Sequence, residues 1–297
     1  MGKPDLEGIF PPITTPFVDG QVSYDKLALN VEKWSRTGIK GLVVLGSNGE
    51  YVYLTEEEKR KVVETVVQSS PDNMTIIVGS GCESSEETLR LTMDCADLGA
   101  HAALVVTPHY YGGEMSHDAL LNHYSTLADR SPIPILLYSV PKFTHISLSA
   151  HLVSLLSKHP NIAGIKDSSG NVTLLGEILH SADKDFNVLV GTAGPLFGAL
   201  TLGCTGGVLA LANVAPEHCV KIYDLVKEGR LEEAKKLQLE MIPVNKAVTQ
   251  TYGIAGLKSA MDMLGYFGGH PRLPLLPSTD VEKSQIREIL KRAGLLT

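Results

Sequence analysis

The chain has 297 residues, of which 43% are apolar and 20% are charged, and its formal net charge is −7 at pH 7. This composition is typical of a globular protein, and the negative charge argues against nucleic-acid binding, which usually needs a basic surface. No apolar run approaches the roughly 18 residues that a membrane-spanning helix needs. We therefore expect neither a nucleic-acid partner nor a membrane partner.

The cysteine and histidine spacings indicate neither disulfides nor a metal site. The four cysteines are far apart and form no CxxC pair, so we expect reduced thiols. The ten histidines form no HExxH motif, and we predict no structural metal. The start, MGKPDLEGIF, lacks the apolar region of a signal peptide, which favours a cytoplasmic protein. Because a presequence removed before residue 1 would leave no trace, the mitochondrial matrix is the alternative compartment.

Short runs rich in Val, Ile and Leu recur along the chain, usually followed by Gly, Ser, Thr or Pro and then by a helical stretch. Near-continuous apolar runs, rather than alternating ones, are typical of parallel strands that are buried on both faces. We predict eight such strands, in runs that begin at Gly8, Gly41, Thr75, Ala102, Pro134, Ile162, Asn187 and Gly206.

The segments between these runs carry helix signals. Thr55 and Glu58 form a capping box ahead of an apolar stripe, and Ser84 and Glu87 repeat the pattern. Eight strand-then-helix units in about 220 residues predict a (β/α)8 TIM barrel. A doubly wound open sheet is the competitor, but the first strand is followed by no GxGxxG motif.

The strand pattern stops after Gly229, and the rest of the chain is helical in character. We predict a catalytic barrel over residues 1–228 and a C-terminal helical region over residues 229–297. This appendage is expected to pack on the barrel or on a neighbouring subunit.

One lysine stands at the tip of an apolar strand, in the stretch IAGIKDSSG from Ile162. Barrel enzymes place their sites at the carboxyl ends of the strands, so Lys166 is the first candidate for chemistry. Lys166 could instead extend to solvent or pair with Asp167. Burial disfavours the ammonium form of a lysine, which makes the neutral amine available as a Schiff-base nucleophile.

Two other features support an imine-forming lysine. Tyr138 ends the strand before that of Lys166, although a core or rim tyrosine is the alternative reading. The loop GSNGE, from Gly46 to Glu50, is either a plain turn or a nest of backbone N–H groups that binds a carboxylate. The strand ends lack the carboxylate pair of a glycosidase and the metal cluster of a metal-dependent aldolase.

Together these motifs resemble the dihydrodipicolinate synthase/N-acetylneuraminate lyase superfamily of pyruvate-dependent class I aldolases. The G-x-x-G-E loop appears as Gly46–Glu50, the Y-x-V-P segment as Tyr138–Pro141 and the G-x-K strand as Gly164–Lys166. The resemblance covers essentially the whole chain and implies a TIM barrel with C-terminal helices.

Within the superfamily the sequence most resembles 4-hydroxy-2-oxoglutarate aldolases, through GSNGE, GSGCES, VTPxYY, LYSVP and PNIxGxKDS. The resemblance implies a lyase that cleaves 4-hydroxy-2-oxoglutarate to pyruvate and glyoxylate without a metal or organic cofactor. It also implies a homotetramer in which a tyrosine, at the position of Tyr110, crosses an interface into the neighbouring site.

The resemblance also implies a role for each site residue. Lys166 forms the imine, and Tyr138 moves protons with the help of Ser47 and Tyr110. Ser47 and Asn48 hold the C1 carboxylate of the substrate. The residues that line the pocket around the imine and the distal half of the substrate are Ser168, Gly191 and Val208.

One departure affects the choice of substrate. Dihydrodipicolinate synthases usually carry an arginine two residues after the proline of Y-x-V-P, and here that position is Phe143. Phe143 weakens the dihydrodipicolinate synthase alternative strongly and the glyoxylate reading mildly. A third hypothesis is a catalytically silent barrel that binds a keto acid.

Overall fold

The computed structural model describes residues 4–297 and shows a sheet of parallel strands alternating with helices. Its strands are β1 Gly8–Phe10, β2 Phe17–Val18, β3 Gln21–Val22, β4 Gly41–Val44, β5 Thr75–Gly79, β6 Ala102–Val106, β7 Ile135–Ser139, β8 Ile162–Asp167, β9 Asn187–Val190 and β10 Gly206–Val208. Strands β1 and β4 to β10 form one eight-stranded sheet in the order β1-β10-β9-β8-β7-β6-β5-β4. Each of the eight predicted strands is therefore present.

Helices follow these strands along the chain. They are α1 Tyr24–Trp34, α2 Glu56–Ser69, α3 Ser85–Asp97, α4 His117–Arg130, α5 Pro141–Thr144, α6 Ala150–Leu156, α7 Val172–Ser181, α8 Leu196–Leu202, α9 Pro216–Lys227, α10 Leu231–Lys246, α11 Gly253–Met263 and α12 Asp280–Arg292. At least one helix follows every strand of the large sheet before the next strand begins. This alternation and the strand order are those of a (β/α)8 barrel, so the predicted fold class is confirmed.

The chain forms two compact units. The first contains residues 75–208 together with residues 4–7, and the second contains residues 8–74 and 209–297. From residue 231 onward the second unit contains α10, α11 and α12, with a π-helical segment, Ala247–Thr251, between α10 and α11 and an irregular segment over residues 264–279. The predicted domain boundary between residues 228 and 229 stays a prediction.

The strands of the first unit are buried on both faces. Every residue of β5, β6, β7 and β8 is buried, which explains why their sequences are continuously apolar rather than alternating. In the parallel register of β7 and β8, Tyr138 pairs with Lys166 and Ser139 pairs with Asp167. The fold therefore places Tyr138 and Lys166 side by side at the carboxyl ends of neighbouring strands.

The second unit begins with a feature that the sequence analysis missed. The run from Gly8 was predicted as one strand, but β1 ends at Phe10, and β2 and β3 form a separate antiparallel hairpin. Asp19 and Gly20 form its two-residue turn with φ angles of 49° and 77°. Positive φ at both central positions is typical of the type I′ turn, which Asp-Gly favours.

The predicted capping box of α2 is confirmed in the same unit. The Thr55 hydroxyl accepts a hydrogen bond from the Glu58 amide, and the Glu58 carboxylate accepts one from the Thr55 amide. These bonds satisfy donors that the first turn of a helix leaves unpaired.

Within residues 4–297, no helix is both long and apolar enough to span a bilayer.

Candidate active site

Lys166 lies near the end of β8 with only 3% of its surface exposed. Its Nζ atom is 4.0 Å from the ring centroid of Tyr138, which is itself 6% exposed. A cation above an aromatic ring is attracted by the negative face of the ring, and this attraction strengthens when water is excluded. The structure thus brings together the two residues that the sequence placed at the centre of the chemistry.

Asp167 follows Lys166 and shapes the turn after β8. Its Oδ1 atom accepts hydrogen bonds from the Ser169 amide at 3.0 Å and from the Ser169 hydroxyl. Because successive side chains of a strand point to opposite faces, Asp167 and Lys166 are directed apart. The solvent-exposed reading of Lys166 is wrong, since that side chain is buried.

Ser168 and Gly191 meet where β8 and β9 end. The Gly191 amide donates to the Asp167 carbonyl at 2.6 Å, and the Ser168 hydroxyl lies 3.4 Å from the Gly191 carbonyl. A Cβ atom added at Gly191 would lie 2.0 Å from the Ser168 hydroxyl oxygen, so this position accepts only glycine without a shift of its neighbours. Val208 is buried at the end of β10.

Cys204, whose thiol senses the charge of Asp167, is unsuited to nucleophilic chemistry at neutral pH. Burial, with a smaller contribution from the charge of Asp167, raises the pKa of the Cys204 thiol to about 12. Since the thiolate is the reactive form, Cys204 stays a protonated, inert thiol. None of the four cysteines forms a disulfide within residues 4–297.

Tyr110 and Tyr111 form an exposed aromatic pair after β6. Their side chains are 77% and 71% exposed, and their rings meet edge to face with centroids 5.0 Å apart. Glu83 holds this segment, because one of its oxygens accepts from the amides of His109 and Tyr110 at 2.9 Å each. Its other oxygen lies 2.8 Å from His109 Nδ1. Sequence reasoning missed Glu83, although its place in the motif GSGCES was a signal.

Ser47 and Asn48 belong to the second unit. They lie on a 3-10 turn, Ser47–Gly49, separated from the end of β4 by two residues, and both are partly exposed. The Nδ2 atom of Asn48 is nevertheless buried and has no hydrogen-bond partner within residues 4–297. A buried donor of this kind is suited to an oxygen ligand. The roles assigned to Ser47 and Asn48 stay predictions.

Phe143 lies on the short helix α5 and is 52% exposed. The Nζ atom of Lys142 is 5.5 Å from its ring centroid. The phenyl ring cannot form the charge-assisted hydrogen bonds with which an arginine grips a carboxylate. The structure therefore offers an apolar ring at the position where the resemblance places an arginine.

Sequence reasoning also missed a second buried lysine, Lys258, in α11. The signal was present, because Lys258 interrupts the apolar stretch GIAGLKSAM in the same way that Lys166 interrupts its strand.

A cluster of three or more potential metal ligands is absent from residues 4–297. The expectation of a reaction without metal or cofactor stays a prediction.

Comparison with known proteins places these residues in a family context. The chain is 39% identical over 294 residues to a 4-hydroxy-tetrahydrodipicolinate synthase from Methanothrix thermoacetophila, and the match covers 98% of each chain. A protein of the same name from Methanocaldococcus jannaschii is 31% identical over 292 residues, covering 98% of this chain and all of the other. These names do not support the preference for 4-hydroxy-2-oxoglutarate aldolase.

Solved structures agree with this result. The chloride-inhibited dihydrodipicolinate synthase from Acinetobacter baumannii, complexed with pyruvate, superposes with a TM-score of 0.93 at 29% identity, and the match covers 98% of this chain and all of that one. The family model described as the dihydrodipicolinate synthetase family matches residues 5–293. The chain therefore belongs to the dihydrodipicolinate synthetase family of pyruvate-dependent class I aldolases, which are carbon–carbon lyases.

Proposed function

We propose that this protein is an aldolase that binds pyruvate as an imine on Lys166 and joins it reversibly to an aldehyde. The observation that carries the proposal is the burial of Lys166 beside the ring of Tyr138 at the carboxyl ends of β7 and β8. A lysine nitrogen with 3% exposure is shielded from bulk water, so a ketone held beside it meets little competing water while the imine forms.

The proposed reaction proceeds through an imine on Lys166. The Lys166 amine adds to the C2 carbonyl of pyruvate, and loss of water then gives the protonated imine. This imine withdraws electrons, so a C3 proton can leave and the resulting enamine attacks the aldehyde carbon. Water finally releases the product and restores the amine. In the cleavage direction the same steps run in reverse.

Each of these steps needs a proton to be moved, and we assign this task to Tyr138. The Tyr138 ring lies beside the Lys166 amine. Because Tyr138 belongs to a rigid strand, β7, its hydroxyl has a fixed position relative to that amine. A phenol suits this task better than a carboxylate, which would hold the iminium as a tight ion pair. In the proposal Ser47 and Tyr110 relay these protons, and Ser47 and Asn48 hold the C1 carboxylate. Ser168, Gly191 and Val208 line the pocket.

The first candidate for the aldehyde is aspartate semialdehyde. The relatives found are named 4-hydroxy-tetrahydrodipicolinate synthase, and their matches extend over nearly the whole chain. This support favours the synthase, which the sequence analysis kept as the alternative.

The second candidate is glyoxylate, with 4-hydroxy-2-oxoglutarate as the cleavage substrate. Phe143 weakens the synthase more strongly than it weakens this candidate, because it puts an exposed ring where a synthase is expected to carry an arginine for a second carboxylate. The sequence motifs shared with 4-hydroxy-2-oxoglutarate aldolases point the same way.

An acceptor screen distinguishes the two candidates. Purified protein is incubated with pyruvate and either aspartate semialdehyde or glyoxylate, and the products are identified by mass and their formation rates measured. A condensation product from aspartate semialdehyde supports the synthase, whereas no product from it dismisses that function.

Replacement Phe143→Arg is the matched variant. It should raise kcat/KM for aspartate semialdehyde more than for glyoxylate if this position selects the acceptor.

A further inference from the structure

A fully buried ion pair lies beneath the loop Gly46–Glu50 in the second unit. Lys258 and Glu50 have side chains with 0% exposure, and Lys258 Nζ is 2.5 Å from Glu50 Oε1. Taking two charges out of water is costly, and the cost is offset only where the geometry and the surrounding hydrogen bonds are good. Such a pair therefore needs a structural or functional explanation.

The groups around Lys258 supply the hydrogen bonds that a buried charge needs. Its Nζ atom donates hydrogen bonds to the carbonyl oxygens of Thr15 at 2.9 Å and His270 at 3.2 Å, and it lies 4.4 Å from the ring centroid of Phe17. Burial lowers the pKa of Lys258, whereas the charge of Glu50 acts in the opposite sense. The ammonium is thus held in one place by several groups.

Glu50 in turn is held from two sides. Its Oε1 atom faces Lys258, and its Oε2 atom accepts a hydrogen bond from the backbone amide of Arg272 at 2.8 Å. The guanidinium of Arg272 is fixed by two hydrogen bonds of 2.7 Å to Glu58 and by the Tyr53 carbonyl. Residues far away in sequence therefore converge on one carboxylate of the loop.

The loop itself has a backbone that needs such support. Leu45, which precedes the loop, and Glu50, which ends it, have φ angles of 56° and 55°, in the left-handed region that residues other than glycine rarely adopt. Conformations of this kind persist only where the surroundings enforce them. Thr15 adds a further constraint, since its hydroxyl donates to the Gly49 carbonyl at 2.7 Å.

We propose that Lys258 and Glu50 are positioning residues that hold the loop Gly46–Glu50 in the shape that binds the substrate carboxylate. The inference rests on the proposed function, in which Ser47 and Asn48 of this loop contact that carboxylate. Neither Lys258 nor Glu50 touches the substrate. Their effect is therefore larger for ketones that carry a carboxylate, because only these bind the loop through that group, whereas a weaker proton relay through Ser47 would slow both kinds of ketone alike.

The test compares two ketones that form the same imine. Pyruvate has the carboxylate and acetone lacks it, and borohydride trapping on Lys166 gives a rate for each. The variants are Glu50→Gln and the double variant E50Q/K258M. The double variant removes both charges and so leaves no unpaired buried ion, which preserves the fold. Val31→Ala, at a fully buried position of α1 outside the loop, is the control for lost stability alone.

We expect the ratio of the pyruvate rate to the acetone rate to fall about 10- to 100-fold in both variants, as displaced binding groups commonly cause. The ratio should be unchanged in Val31→Ala, although that variant melts at a lower temperature. An unchanged ratio in both loop variants would overturn the inference while leaving the proposed function intact. Failure of the unmodified protein to form any adduct would overturn both.

Discussion

The proposed reaction depends above all on two residues, Lys166 and Tyr138. The ring of Tyr138 lies against the buried Lys166 amine, and the Tyr138 hydroxyl carries protons in the proposed reaction. These two functions of one side chain can be separated, because phenylalanine keeps the ring and removes only the hydroxyl.

Replacing Tyr138 with Phe should lower kcat by about 10²- to 10⁴-fold, the usual contribution of a positioned acid or base. The imine should still form, although more slowly, because Lys166 remains buried. Steady-state kinetics with the preferred acceptor measure the effect.

Tyr124→Phe is the matched control, since the Tyr124 hydroxyl is also buried and donates to the Val105 carbonyl at 3.2 Å. That variant should lose about 1 kcal/mol of stability and keep its kcat. A Tyr138→Phe protein with the kcat of the unmodified enzyme would show that the phenol is not the proton carrier.

At this scale, the sequence was informative where a residue broke a local pattern. Lys166 was found because it interrupts an apolar strand, and the structure shows it buried beside Tyr138. Glu83 was missed because its bonds to the amides of His109 and Tyr110 join positions 26 and 27 residues away. Contacts of this kind leave no periodicity in the sequence.

The elements were predictable to different degrees. The buried strands of the first unit were found from their apolar runs, because burial on both faces removes polar residues from every position. The hairpin of β2 and β3 was overlooked, although Asp19 and Gly20 are a strong turn signal. Pro243, a residue type that usually ends or kinks a helix, lies inside α10, which packs against α9. Tertiary packing there outweighs the lost backbone hydrogen bond.

Helix α4 carries a buried histidine that should make the protein sensitive to acid. Burial lowers the pKa of His123 from 6.5 to about 4, and its Nδ1 atom lies 2.7 Å from the Ser85 hydroxyl. The unfolded chain therefore binds a proton at a higher pH than the folded protein does. Stability is complete above pH 6.5 and falls as the pH decreases towards the folded pKa.

The contribution of His123 to this loss should be roughly 3 kcal/mol between pH 6.5 and 4. Urea unfolding across this range measures it. In His123→Asn the decline in unfolding free energy should be smaller by about that amount. His180→Asn, at an exposed position of α7, should follow the unmodified protein. Parallel declines in all three proteins would contradict the assignment.

At the scale of the whole molecule, the similarity to solved structures extends over 98% of the chain with a TM-score of 0.93. The assembly stays a prediction. Tyr110 and Tyr111 expose two adjacent aromatic rings, and large exposed apolar groups often mark an interface.

Sedimentation equilibrium should show a particle of four chains, each of 31.9 kDa. Tyr110→Asp should shift the distribution towards smaller species, because a carboxylate buried at an interface without a partner is costly. A particle with the mass of a single chain at every protein concentration tested would rule out the tetramer. If Tyr110→Asp remains a tetramer to the same extent as the unmodified protein, the ring lies outside the interface.

The most direct test of the imine is to reduce the protein with borohydride in the presence of pyruvate and to map the modified peptide by mass spectrometry. We expect one pyruvate adduct per chain, on Lys166, with no adduct and no turnover in Lys166→Ala although that variant keeps its fold. An unmodified Lys166, or full turnover in Lys166→Ala, would contradict the account.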